Sequence, residues 1–116
     1  MTFPSLADER YMSLLTFRRS GAEVATPMWF AAGNGRVFVG TFPETGKVKR
    51  VKANPEVRVA PCNFRGLVSG PYVAGRARVL DGDEATEAQA ALVSKYGWQW
   101  RLFGRQIDLY MSIEPV

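Results

Sequence analysis

The segment from Thr41 to Arg50 has the clearest pattern for chemistry in this 116-residue sequence. A run typical of a strand ends in threonine, and a short loop leads into a run typical of a helix. The residues concerned are Thr41, Thr45, Gly46, Lys47, Lys49 and Arg50. Backbone N–H groups at a helix start attract anions, and hydroxyls and cationic side chains add strong hydrogen bonds to them. The pattern therefore predicts a phosphate cradle.

The alternative is a basic helix end that is simply solvated. Cations at a helix N-terminus are unfavourable beside the positive end of the helix dipole unless an anion binds there, and we therefore favour the phosphate site. The segment is not a Walker loop, because Gly46-Lys47 is followed by valine instead of serine or threonine.

Composition limits the chemistry further. The chain has no histidine and one cysteine, Cys62, which we expect to be a buried apolar residue. Catalytic relays that use histidine, histidine-ligated metals, an internal disulfide and thiolate zinc sites are all excluded. Any reaction must depend on carboxylates, lysines, tyrosines or a cofactor.

The overall composition is that of an ordinary folded domain. The chain is 47% hydrophobic and 22% charged, with a net charge of +4, and its length suits a single domain over residues 1–116. No apolar run approaches the roughly 18 residues that span a bilayer. The N-terminus is too acidic and too interrupted for a signal peptide, so we expect a cytoplasmic protein without a membrane partner.

Hydrophobic periodicity and turn residues predict a mainly β domain with a few helices. The predicted strands cover 13–18, 24–32, 37–41, 56–62, 72–80 and about 107–113, and the predicted helices cover 6–12, 47–53 and 84–96. Short turns join most strands, as in an antiparallel sheet that closes into a barrel. The aromatic and basic stretch 98–105 is assigned to neither class.

Several short motifs, in this order, resemble a known superfamily. They are LLTFR (14–18), ATPMWF (25–30), GKVKR (46–50), NPEV (54–57), APC (60–62) and YGW (96–98). Together they resemble the FMN-binding split-barrel superfamily that includes pyridoxine 5'-phosphate oxidase. Within it, the sequence is most similar to the actinobacterial branch of oxidoreductases that use the deazaflavin coenzyme F420.

The resemblance implies a homodimeric, six-stranded antiparallel split β-barrel with two cofactor sites at the dimer interface. It also implies hydride transfer between F420 and a small, planar or unsaturated organic substrate, with FMN as the alternative cofactor. Thr41, Thr45 and Lys47 would hold the cofactor phosphate beside Gly46, and Lys49 and Arg50 would extend this anion site. The ring would lie along Ala25, Thr26, Pro27, Met28, Trp29, Val39 and Gly40.

The resemblance has one departure. Pyridoxine 5'-phosphate oxidase has a basic residue for the phosphate in its second strand, whereas Ala25-Thr26-Pro27 offers none. This speaks against a vitamin B6 phosphate ester as the substrate. The sequence identifies no catalytic or metal-binding residue, and it leaves Tyr72, Tyr96 and Tyr110 as unassigned proton donors.

Other interpretations of the same residues remain open. Met28, Trp29 and Phe30 are also typical of a core, and Arg76 and Arg78 would form a solvated face or contact an anionic tail. Residues 98–105 would form a nucleic-acid surface or, as we favour, a dimer interface. A non-catalytic cofactor-binding or nucleic-acid-binding barrel is therefore the alternative class; we expect no nucleic-acid partner.

Overall fold

The computed structural model describes residues 3, 6, 9–33, 35–42, 45–103 and 107–116. These residues form seven strands and three helices. The strands are β1 (Tyr11–Phe17), β2 (Glu23–Met28), β3 (Ala31–Gly33), β4 (Arg36–Thr41), β5 (Glu56–Cys62), β6 (Val73–Leu80) and β7 (Leu109–Pro115). The helices are α1 (Gly46–Ala53), α2 (Gly82–Tyr96) and α3 (Trp98–Phe103).

All seven strands belong to one antiparallel sheet, in the order β2-β1-β5-β6-β7-β4-β3. Strands β2 and β3 lie at opposite ends of this order, although only Trp29 and Phe30 separate them in the chain. The three residue steps from Met28 to Ala31 span at most about 11 Å, so the sheet has to curl until its two ends meet. The result is the mainly β, antiparallel barrel that the sequence predicted.

The barrel is split because strand pairing stops short of full closure. Strand β3 pairs only with Arg36, Val37 and Phe38 of β4, so the rest of β4 extends beyond it. The far end of β4 therefore lies across a gap from the end of β2. This gap is where the candidate site described below is found.

The single strand predicted over 24–32 is two strands in the structure. Strand β2 ends at Met28, just after Pro27, which has no N–H to donate to a ladder. Two residues after the end of β2, the Phe30 N–H donates to the Tyr96 hydroxyl at 3.0 Å instead of to a strand. The sheet therefore has seven strands where the resemblance implied six, and β4 pairs with β3 and β7.

The helix predicted over 6–12 is wrong in its second half, because β1 already begins at Tyr11. Before it, Leu6 N–H donates to the Phe3 carbonyl and Glu9 N–H to the Leu6 carbonyl, which are three-residue turns. Met12 is fully buried in the barrel, so packing of β1 in the sheet outweighs the local helix signal. Residues 7 and 8 lie outside the described part of the chain.

The helices of the middle of the chain are confirmed, and one helix was not predicted. Helix α1 differs from the prediction by one residue. Helix α2 begins two residues earlier than predicted and ends, as predicted, at Tyr96, followed by Gly97 with a φ of +61°. Helix α3 was missed, because its aromatic and basic residues have no clear amphipathic period. None of the helices among the described residues has the length and apolar character needed to cross a membrane.

Two hydrophobic clusters lie on the two faces of the sheet. Met111 and Ile113 of β7 face the barrel interior, while Tyr110 faces the layer formed by α2 and α3. Leu92 and Tyr96 supply the buried face of α2, as their spacing predicted. The outer layer thus fixes where α3 lies on the barrel.

An ion-pair network holds α2 against the sheet. Glu84 of α2 accepts from Arg78 of β6 at 2.8 and 3.0 Å and from Arg36 of β4 at 3.1 Å. Arg36 also contacts Glu87 at 3.3 Å. Arg78, for which the sequence left a solvated face or an anionic tail open, is therefore paired within the protein.

We expect Glu84→Gln to lower the melting temperature at pH 7. Hydrogen bonds from Arg78, which have the larger effect, and from Arg36 lower the pKa of the Glu84 carboxyl from 4.5 to about 2. A depressed carboxyl pKa stabilises the fold above pH 4.5, and this stabilisation is lost as the pH falls to about 2. Thermal unfolding of the wild-type protein and of Glu84→Gln should show that the difference in melting temperature shrinks as the pH falls from 7 to about 2.

Asp83→Asn is the matched control, because it removes a neighbouring carboxylate from the first turn of α2 without disturbing these pairs. A Glu84→Gln deficit no larger than that of the control would contradict a role for the network.

Candidate functional site

A groove of about 260 Å³ opens at the gap between β2 and β4. Its walls come from the end of β2, the end of β4, the first turn of α1 and the new helix α3. The residues that line it are Thr26, Pro27, Met28, Trp29, Gly40, Thr41, Phe42, Lys47, Trp100 and Ile107. Most of this lining is apolar, and Lys47 supplies its charge.

Two indole rings form the apolar wall. The centroids of Trp29 and Trp100 are 6.0 Å apart, and the ring planes are tilted by 39°. Trp100 is only 3% exposed and packs with Tyr110 and Ile107 in the outer cluster. The wall is therefore built from core side chains whose positions are fixed by packing.

Gly40 allows this wall to approach β4 closely. A Cβ at this position would lie 2.9 Å from both Trp100 Cη2 and Ile107 Cγ2. Such distances are too short for carbon atoms in contact. The glycine is thus required by the packing of Trp100 and Ile107, whereas the resemblance gave it a role against the cofactor ring.

The other end of the groove is cationic. Burial, and then the charge of Arg50, lowers the pKa of Lys47. Burial, and then the charge of Arg18, lowers the pKa of Arg50. In both cases the charge that perturbs the pKa is another cation. An anion bound here would relieve that repulsion.

The start of α1 is arranged as an anion site would need. Thr45 is the N-cap residue, but its side chain does not cap the helix; its hydroxyl donates to the Phe42 carbonyl at 3.2 Å. The first turn contains no acidic residue. An anion beside Lys47 would therefore meet the positive end of the helix dipole with no carboxylate from that turn in competition.

Arg50 is turned away from the groove lining. Its Nε donates to the buried Thr16 hydroxyl of β1 at 2.6 Å, and its guanidinium lies over the position that a Gly46 side chain would occupy. This hydrogen bond ties α1 to the barrel and keeps a second positive charge close to Lys47.

The structure brings together part of the predicted site. Of the residues assigned to it from sequence, the groove is lined by Thr26, Pro27, Met28, Trp29, Gly40, Thr41 and Lys47. Thr45, Gly46 and Arg50 lie beside it at the start of α1 and along that helix, and Lys49 is exposed on α1.

Two of the residues predicted to lie along the ring do not line the groove. Val39 is fully buried in the barrel interior, between Phe38 and Gly40 of β4. Ala25 is exposed and does not line the groove that Thr26 lines.

Sequence reasoning missed Phe42, Trp100 and Ile107 as site residues. Spacing along one helix gives no signal for Trp100, because α2 ends at Tyr96 and α3 begins after Gly97. The unassigned tyrosines are accounted for: Tyr72 shares a hydrogen bond of 2.9 Å with Ser13, and the Tyr96 hydroxyl is bonded to backbone. Tyr72, Tyr96 and Tyr110 do not line the described groove.

The family described as pyridoxamine 5'-phosphate oxidase matches residues 3–112. The chain belongs to this family. No curated protein matches it. The antiparallel split barrel and its helical layer are thus the fold of a member of the pyridoxamine 5'-phosphate oxidase family.

Solved structures with the same fold bind different groups. The chain is similar to a FAD-binding protein from Mesorhizobium loti, with 17% identity and a TM-score of 0.72, over 97% of this chain and 86% of that one. A heme storage protein from Vibrio cholerae has 12% identity and a TM-score of 0.73, over 94% and 83%. A heme-binding protein from Mycobacterium smegmatis has 16% identity and a TM-score of 0.72, over 95% and 47%, so the chain spans about half of it.

We expect Gly40→Ala to destabilise the protein by about 1–3 kcal/mol, as overpacking of a filled core does. The added methyl group would displace Trp100, and its fluorescence should report a more exposed indole. In a double-mutant cycle, Trp100→Phe removes the opposing Cη2 atom, so part of the Gly40→Ala cost should disappear in the double variant. If chemical denaturation shows that the two substitutions lower the free energy of unfolding by strictly additive amounts, the contact between position 40 and Trp100 is not tight.

Proposed function

We propose that this chain is an oxidoreductase that binds the deazaflavin F420 in the groove between β2 and β4. It would transfer a hydride to or from a small, planar or unsaturated organic substrate. The observation that supports this most strongly is one gap that has an indole wall at one side and, at the other, a cationic helix start whose first turn contains no acidic residue. FMN is the alternative cofactor, because the same arrangement suits its ring and its phosphate.

The residues present fit such a cofactor by their chemistry. Half-buried Trp29, packed against the buried Trp100 ring, offers apolar surface to a fused ring, and Lys47 with the Thr41 hydroxyl offers donors to a phosphate. The bound deazaflavin would supply the hydride chemistry at its ring carbon. The chain has only to bind and orient the ring and to exclude water, which requires no histidine.

The anionic tail of F420 gives a reason to prefer it over FMN. Lys49 and Lys52 continue the positive charge of Lys47 and Arg50 along α1, beyond what one phosphate needs. A polyanionic tail would neutralise this surface. A vitamin B6 phosphate ester is a weaker proposal, because Thr26 and Pro27 line the groove where a basic residue would be needed.

The size of the groove supports a homodimer with shared cofactor sites. Small-molecule sites are usually about 300–1,000 Å³, so a groove of about 260 Å³ would hold only part of a cofactor. Phe42, Trp98 and Leu102 are apolar and 47%, 68% and 52% exposed near its rim or on α3. A second copy that covered them would complete the site.

A nucleic-acid partner is less favoured by the structure of α3. Trp100 is buried among core residues and cannot stack on a base, which leaves Trp98 as the exposed indole of that helix. Arg105 lies outside the described residues. A cytoplasmic location stays a prediction.

We expect saturable micromolar binding of F420 in an absorbance and fluorescence titration, with FMN and heme as competing ligands. Lys47→Ala should weaken F420 binding by at least about tenfold, the size expected for loss of a charged hydrogen bond. Lys52→Ala is the matched control in the FMN titration, because FMN has no anionic tail and the substitution removes the same charge from an exposed position in the last turn of the same helix. Binding of neither F420 nor FMN would refute the proposal, and equal losses of FMN affinity in the two variants would show that Lys47 acts only through its general charge.

Turnover separates an enzyme from a non-catalytic carrier. We expect the protein to accelerate reoxidation of reduced F420 by planar acceptors such as quinones, in proportion to protein concentration. A carrier would bind the reduced cofactor with the same affinity but would slow its reoxidation. The rate at saturating cofactor, with and without protein, distinguishes the two.

Sedimentation tests the shared site. We expect a dimer at tens of micromolar, and Trp98→Glu should shift it toward monomer by burying a charge in the interface. A wild-type monomer that binds F420 at full affinity would rule out a site shared between copies.

A further inference from the structure

The wall residue Trp29 occupies an unusual place in the fold. It lies between β2 and β3, where the chain crosses from one end of the sheet to the other. Its ring lines the groove and is also stacked on Tyr96, with centroids 4.5 Å apart and planes within 10°. The orientation of the groove wall is therefore linked to a residue that does not itself line the groove.

Tyr96 also holds the backbone next to Trp29. Its hydroxyl accepts the Phe30 N–H at 3.0 Å and lies 2.7 Å from the Arg10 carbonyl and 2.9 Å from the Phe30 carbonyl. This single hydroxyl thus provides a hydrogen-bonding partner for backbone groups beside Trp29 that no strand ladder pairs. Burial raises the pKa of Tyr96 to about 12, so this donor stays protonated across the neutral range.

The position of Tyr96 is itself fixed from several sides. The ring is 4% exposed at the end of α2, and the Arg10 guanidinium lies 5.2 Å from its centroid. Lys95 beside it donates to the Glu9 carbonyl at 2.6 Å and lies 3.5 Å from the Phe30 ring centroid. Helix α2, the crossing and the segment before β1 therefore meet at this tyrosine.

We propose that Tyr96 is a positioning residue that sets the plane of Trp29 and so makes the groove wall complementary to a flat ring. The role of Trp29 toward a cofactor rests on the function proposed above. The stack itself belongs to the unliganded protein and can be tested without any cofactor. Tyr96 acts here through Trp29 and transfers no proton.

Two variants separate the contribution of the Tyr96 ring from that of its hydroxyl. Tyr96→Phe keeps the stacked ring and removes the hydroxyl, whereas Tyr96→Leu removes both. Leu92→Ala is the structural control, because Leu92 is fully buried one turn earlier on α2 in the same cluster. It should cost stability without changing the stack.

The first measurement is near-ultraviolet circular dichroism of the unliganded proteins. We expect Tyr96→Leu to lose aromatic signal from the Trp29 stack, with Tyr96→Phe and Leu92→Ala remaining close to wild type. An unchanged spectrum in folded Tyr96→Leu would overturn the proposal whatever the cofactor is.

The second measurement compares FMN with riboflavin, which has the same ring without the phosphate. We expect Tyr96→Leu to weaken both ligands by a similar factor of about three- to tenfold, the range of aromatic pair energies. Lys47→Ala should weaken FMN much more than riboflavin. Equal losses in Tyr96→Leu and Leu92→Ala would overturn the positioning role. If FMN, riboflavin and F420 all fail to bind the wild-type protein, the proposed function fails, and the spectra still decide the role of Tyr96.

Discussion

The short crossing at Trp29 and Phe30 is the constraint on which the rest of the structure depends. It joins the two ends of a seven-strand sheet with two residues, so the sheet must close. Closure is incomplete because β3 is too short to cover the far half of β4. An edge left open in this way exposes strand ends that other elements must cover. Here α1 and α3 border the gap, and the groove is the space that they leave.

Charge is distributed unevenly around this barrel. On the side of α2, Arg36 and Arg78 are paired with Glu84 and Glu87, and these pairs hold the helix to the sheet. On the side of α1, burial lowers the pKa values of both Lys47 and Arg50, and a neighbouring cation adds to this, Arg50 in the case of Lys47 and Arg18 in the case of Arg50. The net charge of +4 is therefore not a uniform property of the surface. A site for an anion is favoured where positive charge meets partial burial and a helix start.

Much of the fold was predictable because its signals are local. Alternation in β5 and β6 and the Asp81 to Gly97 boundaries of α2 are encoded by neighbouring residues. Pro27 is a local signal for the end of β2, but the Tyr96 hydroxyl that binds the Phe30 N–H beyond it lies 66 residues away in sequence, and this contact was not predictable. The same holds for the site. Lys47 and Thr41 were found from a contiguous pattern, whereas Trp100 reaches the groove through tertiary packing against Gly40.

The lack of histidine is consistent with the kinds of side chain found around the groove. A chain that supplies its own acid or base would need a titratable group of suitable pKa within reach of the substrate. The tyrosines nearest the groove have their pKa values raised by burial, and Lys47 is the charged residue of the lining. These side chains are suited to hold a ring and an anion in place and are poorly suited to move protons near neutral pH. A fold whose gap offers shape and positive charge alone can take part in redox chemistry only when the reactive centre is a bound group.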